Sequence, residues 1–332
     1  CKSGELIFTS GLTEANNLAI LGFANSLERT KRTLAETHWI ASSIEHDSIL
    51  ACFSEIERMG GSVSYVPPDE RGIILPKTIE KALRAETVFL SVGWANNEIG
   101  IVQPLGKIAR ILREYEKKHG TRITFHSDAG QAPLYLPTVV HSLGIDLLSL
   151  GGNKLYGPHG IGALYVGKNT SINSTVFGGK QEKGLRAGTE GVALAAGFAA
   201  AFLIIAQDRK NEANRLKKMR DQLASALLAR IPSLIVNGNL QHALPHMLNI
   251  SIPHISSEYI TLALDRAGIA ISTKSACREG EESRSHVISA LGGNDWRAQN
   301  TLRFSLGRET SERDIKNAVI KLEQILAKYT AR

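Results

Sequence analysis

Short apolar and β-branched runs alternate with helical patterns along the first half of the chain. The runs are the length of short strands, and segments of helical character lie between most of them. Strands that alternate with helices are joined by crossover connections, which build a mostly parallel sheet. The pattern therefore predicts an α/β domain. Its expected strands are residues 6–9, 39–42, 63–66, 88–91, 123–125, 147–150 and 162–166.

The pattern changes in the last third of the chain. A long helical region over residues 189–230 carries apolar residues at helical spacing in its second half, and we expect it to connect two domains. Beyond Pro232, short apolar runs and two further helices predict a smaller α+β unit. We predict a large domain over residues 1–210 and a small C-terminal domain over residues 211–332. The expected small-domain strands are 234–236, 248–252, 269–272 and 302–305, with helices near 258–266 and 311–328.

Composition narrows the class of protein. The chain has 332 residues, of which 43% are hydrophobic and 21% charged, as in a globular protein with a large core. The net charge is +7, but lysines and arginines mix with acidic residues along the helical stretches, which indicates solvated helix faces and no nucleic-acid binding. The longest apolar stretch, residues 192–206, is shorter than a membrane span, so we expect a buried helix and no membrane association.

Cysteine usage indicates a reducing compartment. Cys1, Cys52 and Cys277 form no CxxC pair and have no close histidine pair, which argues against a disulfide framework and against a zinc site. We therefore expect a cytoplasmic protein. No secretory leader is visible, and the chain begins with Cys1 almost within its first strand, as a fragment would.

Asp128, Gln131 and Lys154 form the most informative group of polar residues. Asp128 follows the expected strand 123–125, and Lys154 follows the strand 147–150, so both side chains are expected at the carboxyl edge of the sheet. Pyridoxal phosphate needs a carboxylate beside its ring nitrogen and a lysine amine that binds its aldehyde as an imine. The pair predicts such a site; the alternative is that the two residues lie on unrelated loops.

Two further segments also stand at the ends of expected strands. Thr13 opens a helix after the first strand, where free amides and a hydroxyl can bind a phosphate; the alternative is an ordinary helix cap. His46 follows the second strand, where an imidazole could stack on a pyridine ring and transfer a proton; the alternative is a turn histidine.

Three more features have a functional and a structural interpretation. Asn97 follows the fourth strand and could reach a cofactor or substrate, although turn chemistry explains it nearly as well. The glycine-dense segment 178–189 is expected to be a functional loop. Arg303 lies in an otherwise apolar strand, where its guanidinium could hold a substrate carboxylate or form a structural ion pair.

Cys277 is a candidate nucleophile. It lies in a polar, charged stretch beside Lys274 and Arg278, whereas Cys52 has apolar neighbours. Nearby cations favour the thiolate, which is the reactive form of cysteine. An incidental surface cysteine is the alternative.

Taken together, these segments resemble the cysteine desulfurases, class V aminotransferase-like enzymes with the aspartate aminotransferase fold (pyridoxal-phosphate fold type I). That fold has a mostly parallel large-domain sheet and a smaller α+β C-terminal domain. The resemblance covers almost the whole chain, with the motifs in the family's order. The motifs are Thr9-Ser10-Gly11-x-Thr13-Glu14, Glu45-His46, Asn96-Asn97-Glu98-Ile99-Gly100, Asp128-Ala129-x-Gln131, Lys154-x-Tyr156-Gly157-Pro158, Arg186-x-Gly188-Thr189, Ser275-Ala276-Cys277 and Arg303-Phe304-Ser305-Leu306-Gly307.

The resemblance implies roles for the residues that match the family's motifs. Lys154 would bind the aldehyde of pyridoxal 5'-phosphate, and Asp128 would pair with its ring nitrogen. Gln131 would bond its phenolate oxygen, while His46 would stack on the ring and share proton transfer with Lys154. The remaining cofactor contacts would come from Thr13, Asn97 and Asn153, and from Thr189 of a second subunit in a homodimer.

The resemblance also implies the reaction. L-cysteine, positioned by Asn97 and Arg303, would be converted to L-alanine, and Cys277 would take its sulfur as a persulfide. The sulfur would then pass to an acceptor or iron–sulfur scaffold protein, for cluster assembly or thiolation. Two alternatives are a selenocysteine lyase, which shares Lys154, Asp128 and the thiol, and a non-catalytic paralogue or fragment of the same fold.

The chain departs from the family's pattern in two places. Where the family usually has Ser-Gly-His-Lys, this chain has Gly151-Gly152-Asn153-Lys154, which removes a hydroxyl from the phosphate cup and replaces an imidazole with an amide. Both changes bear on cofactor affinity. The chain also starts where the family's opening segment should already have ended, and absence of that segment is expected to weaken substrate binding.

Overall fold

The computed structural model describes residues 2–27, 32–273 and 284–330. Cys1 and the candidate nucleophile Cys277 lie outside the described residues. The chain divides into two compact units. The first contains residues 1–67, 74–95 and 103–208, and the second contains residues 68–73, 96–102 and 209–332. The sequence-based boundary was placed after residue 210, and it did not foresee the two short segments of the second unit.

The first unit is built on a seven-stranded sheet with the order β1-β7-β6-β5-β4-β2-β3. All neighbouring strands are parallel except at β7, which is antiparallel to both β6 and β1. The predicted α/β class with a mostly parallel sheet is therefore confirmed. The strands are β1 Leu6–Thr9, β2 His38–Ser42, β3 Ser62–Val66, β4 Thr87–Ser91, β5 Thr124–Asp128, β6 Leu147–Gly151 and β7 Gly162–Val166.

Helices cross over between the strands of this sheet. Their bounds are α1 Leu12–Ser26, α2 Asp47–Arg58, α3 Pro76–Ala82, α4 Leu105–His119 and α5 Val140–Leu143, and α6 Val192–Arg230 follows the last strand. Of these, α1 and α2 begin directly after β1 and β2, so the starts of both helices lie at the carboxyl edge of the sheet.

An aromatic cluster packs α1 and α2 onto the central strands. Trp39 of β2 and Phe89 of β4 are fully buried, with ring centroids 5.0 Å apart. Phe23 of α1 lies 5.1 Å from the Phe89 ring, and Phe53 of α2 lies 6.3 Å from the Trp39 ring. Fully burying an aromatic side chain stabilises a fold by roughly 2–3 kcal/mol. This packing fixes the two helices, and therefore their first turns, against the sheet.

A buried histidine of β5 links the two neighbouring strands, β4 and β6, through its side chain. His126 of β5 contacts the Ser91 hydroxyl of β4 and the Ser149 hydroxyl of β6, each at 2.9 Å. Burial lowers the pKa of His126 to about 3, so the ring is neutral at physiological pH. Its role is to hold the strands that carry Asp128 and Gly151.

The second unit contains a three-stranded antiparallel sheet with the order β10-β9-β8. The strand predicted over residues 269–272 is wrong, because only an isolated bridge between Ser272 and Arg303 forms there. A run with only three apolar residues, Ile269 to Ile271, can equally pack as irregular chain, and periodicity alone does not distinguish the two. The elements are β8 Ile235–Val236, β9 Met247–Ser251, β10 Thr301–Ser305, α7 Ser257–Asp265, α8 His286–Ala290, α9 Asp295–Gln299 and α10 Glu312–Thr330.

The first half of α6 is apolar but exposed. The prediction of a buried helix over residues 192–206 is wrong, because only 11% of the most apolar window of α6 is buried. Val192, Leu203 and Ile204 are 74%, 63% and 54% exposed. Within the described ranges, α6 alone has the length and composition of a membrane span, which by itself is weak evidence for one.

Candidate active site

Four of the predicted site residues follow strands that run in the same direction. Thr13 follows β1, His46 follows β2, Asp128 ends β5, and Lys154 lies in the 3₁₀ turn Gly152–Leu155 directly after β6. Because β1, β2, β5 and β6 are mutually parallel, these residues all lie at the carboxyl edge of one sheet. Open α/β sheets bind their ligands at this edge.

The Lys154 amine is available for chemistry. The side chain is exposed, and no hydrogen bond or ion pair within the described ranges engages it. β5 and β6 are direct neighbours, with Asp128 in register with Ser149 of β6. Asp128 ends β5 and Lys154 lies in the turn directly after the neighbouring strand β6, so the two residues lie at the same edge of one sheet, as their positions at strand ends predicted.

Two hydrogen bonds hold the Asp128 carboxylate. Oδ1 accepts the Gly130 amide at 2.7 Å, and Oδ2 accepts the Asn16 side-chain amide at 2.7 Å. The Trp94 amide also donates to the Asp128 carbonyl at 2.8 Å. Hydrogen bonds to a carboxylate are charge-assisted, so they fix the orientation of the acid as well as its position.

His46 is the N-cap residue of α2. Its Nδ1 accepts the Ser48 amide at 3.1 Å and lies 2.9 Å from the Ser48 hydroxyl. The half-buried ring therefore presents its Nε2 side away from the helix. The turn interpretation of His46 is confirmed for Nδ1, which caps the helix, and a role of the ring in proton transfer stays a prediction.

Glu45 is a fully buried acid beside this group. Its Oε1 accepts the Gly93 amide at 2.8 Å and a short hydrogen bond from the Ser42 hydroxyl. Burial raises the pKa of Glu45 to about 7, with the charge of Asp128 adding to the rise and the Ser42 and Gly93 hydrogen bonds opposing it. Glu45 therefore shares the electrostatic environment of Asp128 and changes charge near neutral pH.

We expect Glu45→Gln to gain stability relative to the wild type as the pH rises. Between about pH 4.5 and 7, Glu45 keeps its proton in the folded protein but loses it in the unfolded chain. The stability of the wild type is therefore highest, as far as Glu45 is concerned, below the unfolded pKa of about 4.5. It falls as the pH rises through the folded pKa of about 7. Glutamine does not titrate and keeps the acceptor. Between about pH 5.5 and 8 the change is about 2 kcal/mol in favour of the variant.

Urea unfolding of the cofactor-free protein at the two pH values measures this difference. Glu80→Gln is the matched control, since Glu80 is an exposed acid of α3. A Glu45→Gln stability difference that is the same at both pH values would contradict the buried-acid assignment.

The start of α1 has the geometry of an anion site. Its N-cap residue is Gly11, which has no side chain to cap the first turn, while Ser10 donates its amide to Glu14 at 2.7 Å. The simple helix cap by Ser10 or Thr13 is therefore absent. Gly162 of β7 allows Gly11 to approach the sheet, because a Cβ at 162 would lie 2.6 Å from the Gly11 carbonyl carbon. Amides at a helix N-terminus favour bound phosphate.

Gly151, the residue that departs from the family's serine, borders this helix start. A Cβ at 151 would lie 3.0 Å from the Leu12 Cβ, 3.4 Å from the Asn153 Oδ1 and 3.6 Å from the Leu12 amide nitrogen. Leu12 thus occupies part of the space that a serine at 151 would need. The missing Cβ leaves room beside the Leu12 amide, a donor that suits a phosphate.

The glycine-dense segment 178–189 folds back on β1 and α1. Arg186 donates to Glu14 at 2.9 Å, and Glu182 accepts the Phe8 amide at 3.1 Å. Burial raises the pKa of Glu14, but hydrogen bonds from Arg186 and Ser10 outweigh it and leave the net shift downward. Thr189, at the end of the segment, is exposed.

The second unit holds the two residues predicted to position the substrate. Arg303 of β10 donates to the Asn97 carbonyl at 3.0 Å and to the Ser272 hydroxyl at 3.3 Å. The neighbouring residue, Asn96, stabilises the turn: its Oδ1 accepts hydrogen bonds from the amides of Glu98 and Ile99 at 2.8 and 3.0 Å. Asn97 and Arg303 are therefore brought together within their unit through the Asn97 carbonyl.

The sequence missed three residues that support the site. Asn16, Ser48 and Glu45 all contact or face the predicted residues, yet none was given a role, although Glu45 is part of the Glu45-His46 motif. A signal existed for Asn16, because it shares a helical face with Ala19 and Ile20, both fully buried. Gln131 is half-buried three residues after Asp128, and its contact with the cofactor stays a prediction.

Comparison with known proteins agrees with this arrangement. The family model for class V aminotransferases matches residues 1–318. A cysteine desulfurase IscS of Dictyoglomus turgidum is 38% identical over 327 residues, which cover 98% of this chain and 80% of that protein. A cysteine desulfurase IscS of Escherichia coli is also 38% identical, over 94% of this chain and 74% of the relative.

Solved structures give the same result. A NifS-like protein superposes with a TM-score of 0.89 at 30% identity, covering 98% of this chain and 84% of its own. SspA, solved in complex with cysteine, superposes with a TM-score of 0.76 at 32% identity, covering 92% of this chain and 82% of its own. The motifs, the sheet and these relatives agree, and the chain belongs to the class V aminotransferase family, among its cysteine desulfurases.

Proposed function

We propose that the chain uses pyridoxal 5'-phosphate to convert L-cysteine to L-alanine and collects the sulfur as a persulfide on Cys277. The observation that carries the proposal is the placement of Asp128 at the end of β5 and of Lys154 in the turn after the adjacent parallel strand β6, with the start of α1 at the same carboxyl edge. The relatives named cysteine desulfurase support the substrate.

The residues present fit the cofactor. Lys154 supplies an exposed amine for the aldehyde, and Asp128 supplies an oriented carboxylate for the ring nitrogen. The space beside Gly151, with the first amides of α1 and the Thr13 hydroxyl, suits the phosphate, to which Asn153 would donate through its side-chain amide nitrogen. Gln131 and His46 would contact the phenolate oxygen and the ring face. When bound, the cofactor supplies an electron sink that stabilises negative charge at the substrate's α-carbon.

The protein's own groups then do the remaining work. Lys154, as a free amine, and His46, through its Nε2 side, are the candidates to accept and return the α-proton. Arg303 would hold the substrate carboxylate, and Asn97 would orient the amino acid. The Cys277 thiolate attacks the substrate sulfur, so an S–S bond forms while the C–S bond breaks and its electron pair stays with carbon. The carbon takes up a proton, and the products are alanine and the Cys277 persulfide.

The test is the conversion itself, measured as alanine and sulfide released from L-cysteine by the purified chain with added cofactor and a reducing thiol. We expect turnover that requires the cofactor. A strict preference for L-selenocysteine would replace the proposal with a selenocysteine lyase. Cofactor binding without turnover of either amino acid would support a non-catalytic paralogue.

We further propose a homodimer, in which Thr189 of each copy completes the phosphate site of the other. The proposal is supported by the exposed apolar half of α6, which begins at Val192, three residues after Thr189. Burying an apolar face of this kind is the main driving force for obligate subunit association. The second copy is therefore the expected occupant of this helix face.

We expect the wild type to elute as a dimer of twice 36.0 kDa and Leu203→Glu to elute as a monomer, because a buried charge at the centre of an apolar interface is costly. Light scattering coupled to size exclusion measures both masses. Leu228→Glu is the matched control, since Leu228 is a 45% exposed leucine in the part of α6 that belongs to the second unit. A monomeric wild type, or a dimeric Leu203→Glu, would contradict the interface.

The persulfide would pass to an acceptor or iron–sulfur scaffold protein. We place this transfer in the cytoplasm, because a reducing compartment keeps the Cys277 thiol available between turnovers.

A further inference from the structure

A continuous chain of hydrogen bonds joins Asp128 to His46. Asn16 Nδ2 lies 2.7 Å from Asp128 Oδ2 and 2.9 Å from Ser48 Oγ. Ser48 Oγ lies in turn 2.9 Å from His46 Nδ1. The four residues come from three elements, namely α1, the start of α2 and the end of β5, and all belong to the first unit.

The donors and acceptors in this chain can be assigned. A carboxylate only accepts hydrogen bonds, so the amide nitrogen of Asn16, and not its oxygen, must face Asp128. The NH₂ group has two hydrogens and two acceptors in reach, Asp128 Oδ2 and Ser48 Oγ. Ser48 Oγ therefore accepts from Asn16, and its own hydrogen is left to donate to His46 Nδ1.

The backbone supports the same direction. The Ser48 amide can only donate, and it donates to His46 Nδ1 at 3.1 Å, so Nδ1 is the acceptor of the neutral ring and the ring proton is on Nε2. Two donors, the Ser48 amide and the Ser48 hydroxyl, thus converge on one nitrogen. The hydroxyl keeps this orientation because Asn16 occupies its acceptor side.

Asn16 is an unusual residue for its position. It is fully buried on the apolar face of α1, and its Oδ1 has no hydrogen-bond partner in the described part of the chain. A buried carbonyl without a partner destabilises a fold, whereas leucine has nearly the same shape and no such cost. The presence of an asparagine at this buried position is therefore better explained by the two hydrogen bonds that its amide donates than by packing.

We propose that Asn16 is a positioning residue that couples the Asp128 carboxylate to the His46 imidazole through the Ser48 hydroxyl. The role of Asn16 in the reaction rests on the proposed function, in which Asp128 pairs with the ring nitrogen of the cofactor and His46 stacks on the ring. Asn16 touches neither substrate nor cofactor in this role. It holds the groups on two sides of the ring in one hydrogen-bonded unit.

The direct test is a double-mutant cycle read on His46 in the cofactor-free protein. The ¹⁵N resonance of His46 Nδ1 depends on the hydrogen bonds that this nitrogen accepts. We expect Asn16→Leu to shift that resonance although Asn16 does not contact His46. We expect Ser48→Ala to shift it in the same direction, and Asn16→Leu to add no further shift in the Ser48→Ala background.

Asn17→Leu is the matched control, because Asn17 is the next residue of α1 and, among the residues that the structure describes, its side-chain amide donates only to the Thr13 carbonyl of its own helix, at 2.9 Å. We expect this variant to leave the His46 resonance unchanged. If Asn16→Leu does not fold, Asn16→Ala enters the same cycle. An unchanged His46 resonance in the Asn16 variant, or an equal shift with and without the Ser48 hydroxyl, would overturn the coupling.

The active enzyme gives a second, separate readout. Loss of a hydrogen bond to a charged group predicts that Asn16→Leu lowers kcat by about 10- to 100-fold while KM for L-cysteine changes little. A wild type without desulfurase activity would remove the proposed function, whereas the cycle on His46 does not depend on turnover. An active wild type whose kcat is unaffected by Asn16→Leu would overturn the positioning role.

Discussion

Replacing Lys154 with alanine is expected to abolish desulfurase activity, with a fall in kcat/KM of about 10⁴-fold or more, as is common when a covalent catalytic group is removed. Lys154 is the exposed amine after β6, next to the strand that ends at Asp128. Alanine removes the group that binds the cofactor aldehyde and the group that accepts the substrate's α-proton, so two functions are lost together.

Absorbance in the visible range after addition of pyridoxal phosphate, together with alanine release, measures both losses. Lys168→Ala is the matched control, since Lys168 is an exposed lysine just beyond β7. We expect this control to keep the absorbance band and the activity. A Lys154→Ala protein with the wild-type band and turnover would show that another amine binds the cofactor.

Cys277→Ser is expected to separate cofactor chemistry from sulfur transfer. The variant should keep the absorbance band and its change on addition of L-cysteine, because those depend on Lys154 and Asp128. Alanine release should fall by about 10³-fold or more, since a serine hydroxyl cannot act as the thiolate nucleophile at neutral pH.

Mass spectrometry of the tryptic peptides after a single turnover locates the added sulfur atom. Cys52→Ala is the matched control: burial, with a smaller effect from Glu55, raises the pKa of the Cys52 thiol to about 12, so this thiol stays protonated. We expect the persulfide in Cys52→Ala and its absence in Cys277→Ser. Unchanged turnover in Cys277→Ser would remove the proposed persulfide step.

The large-domain fold could be predicted from the sequence because its strands are short apolar runs separated by helices. All seven predicted strands are present, and Asp128 and Lys154 stand at strand ends as expected. The prediction of a strand over residues 269–272 was wrong, because Ser272 forms only a bridge with Arg303. A run of three apolar residues carries too little pattern to distinguish a strand from irregular chain.

The predicted burial of α6 failed because composition does not say what covers an apolar surface. Val192 and Leu203 have the hydrophobicity of core residues, but they are exposed in the isolated chain. A second copy that covers this face would explain the composition without a buried position in one chain.

The supporting residues of the site could not be predicted, because their roles depend on contacts between distant segments. Asn16 reaches Asp128 across 112 positions of sequence, and Glu45 accepts the Gly93 amide across 48. Strand periodicity places a side chain at an edge but does not say which neighbours will hydrogen-bond it. The catalytic candidates were therefore visible in the sequence, and the residues that hold them were not.

The most direct measurement of the central claim is peptide mapping of the wild-type protein after incubation with pyridoxal phosphate and reduction with borohydride. Reduction fixes the cofactor to the amine that binds it. We predict that the cofactor is recovered on the peptide that contains Lys154, and on no other lysine peptide in comparable yield. Recovery of the label elsewhere, or of no label, would contradict the account.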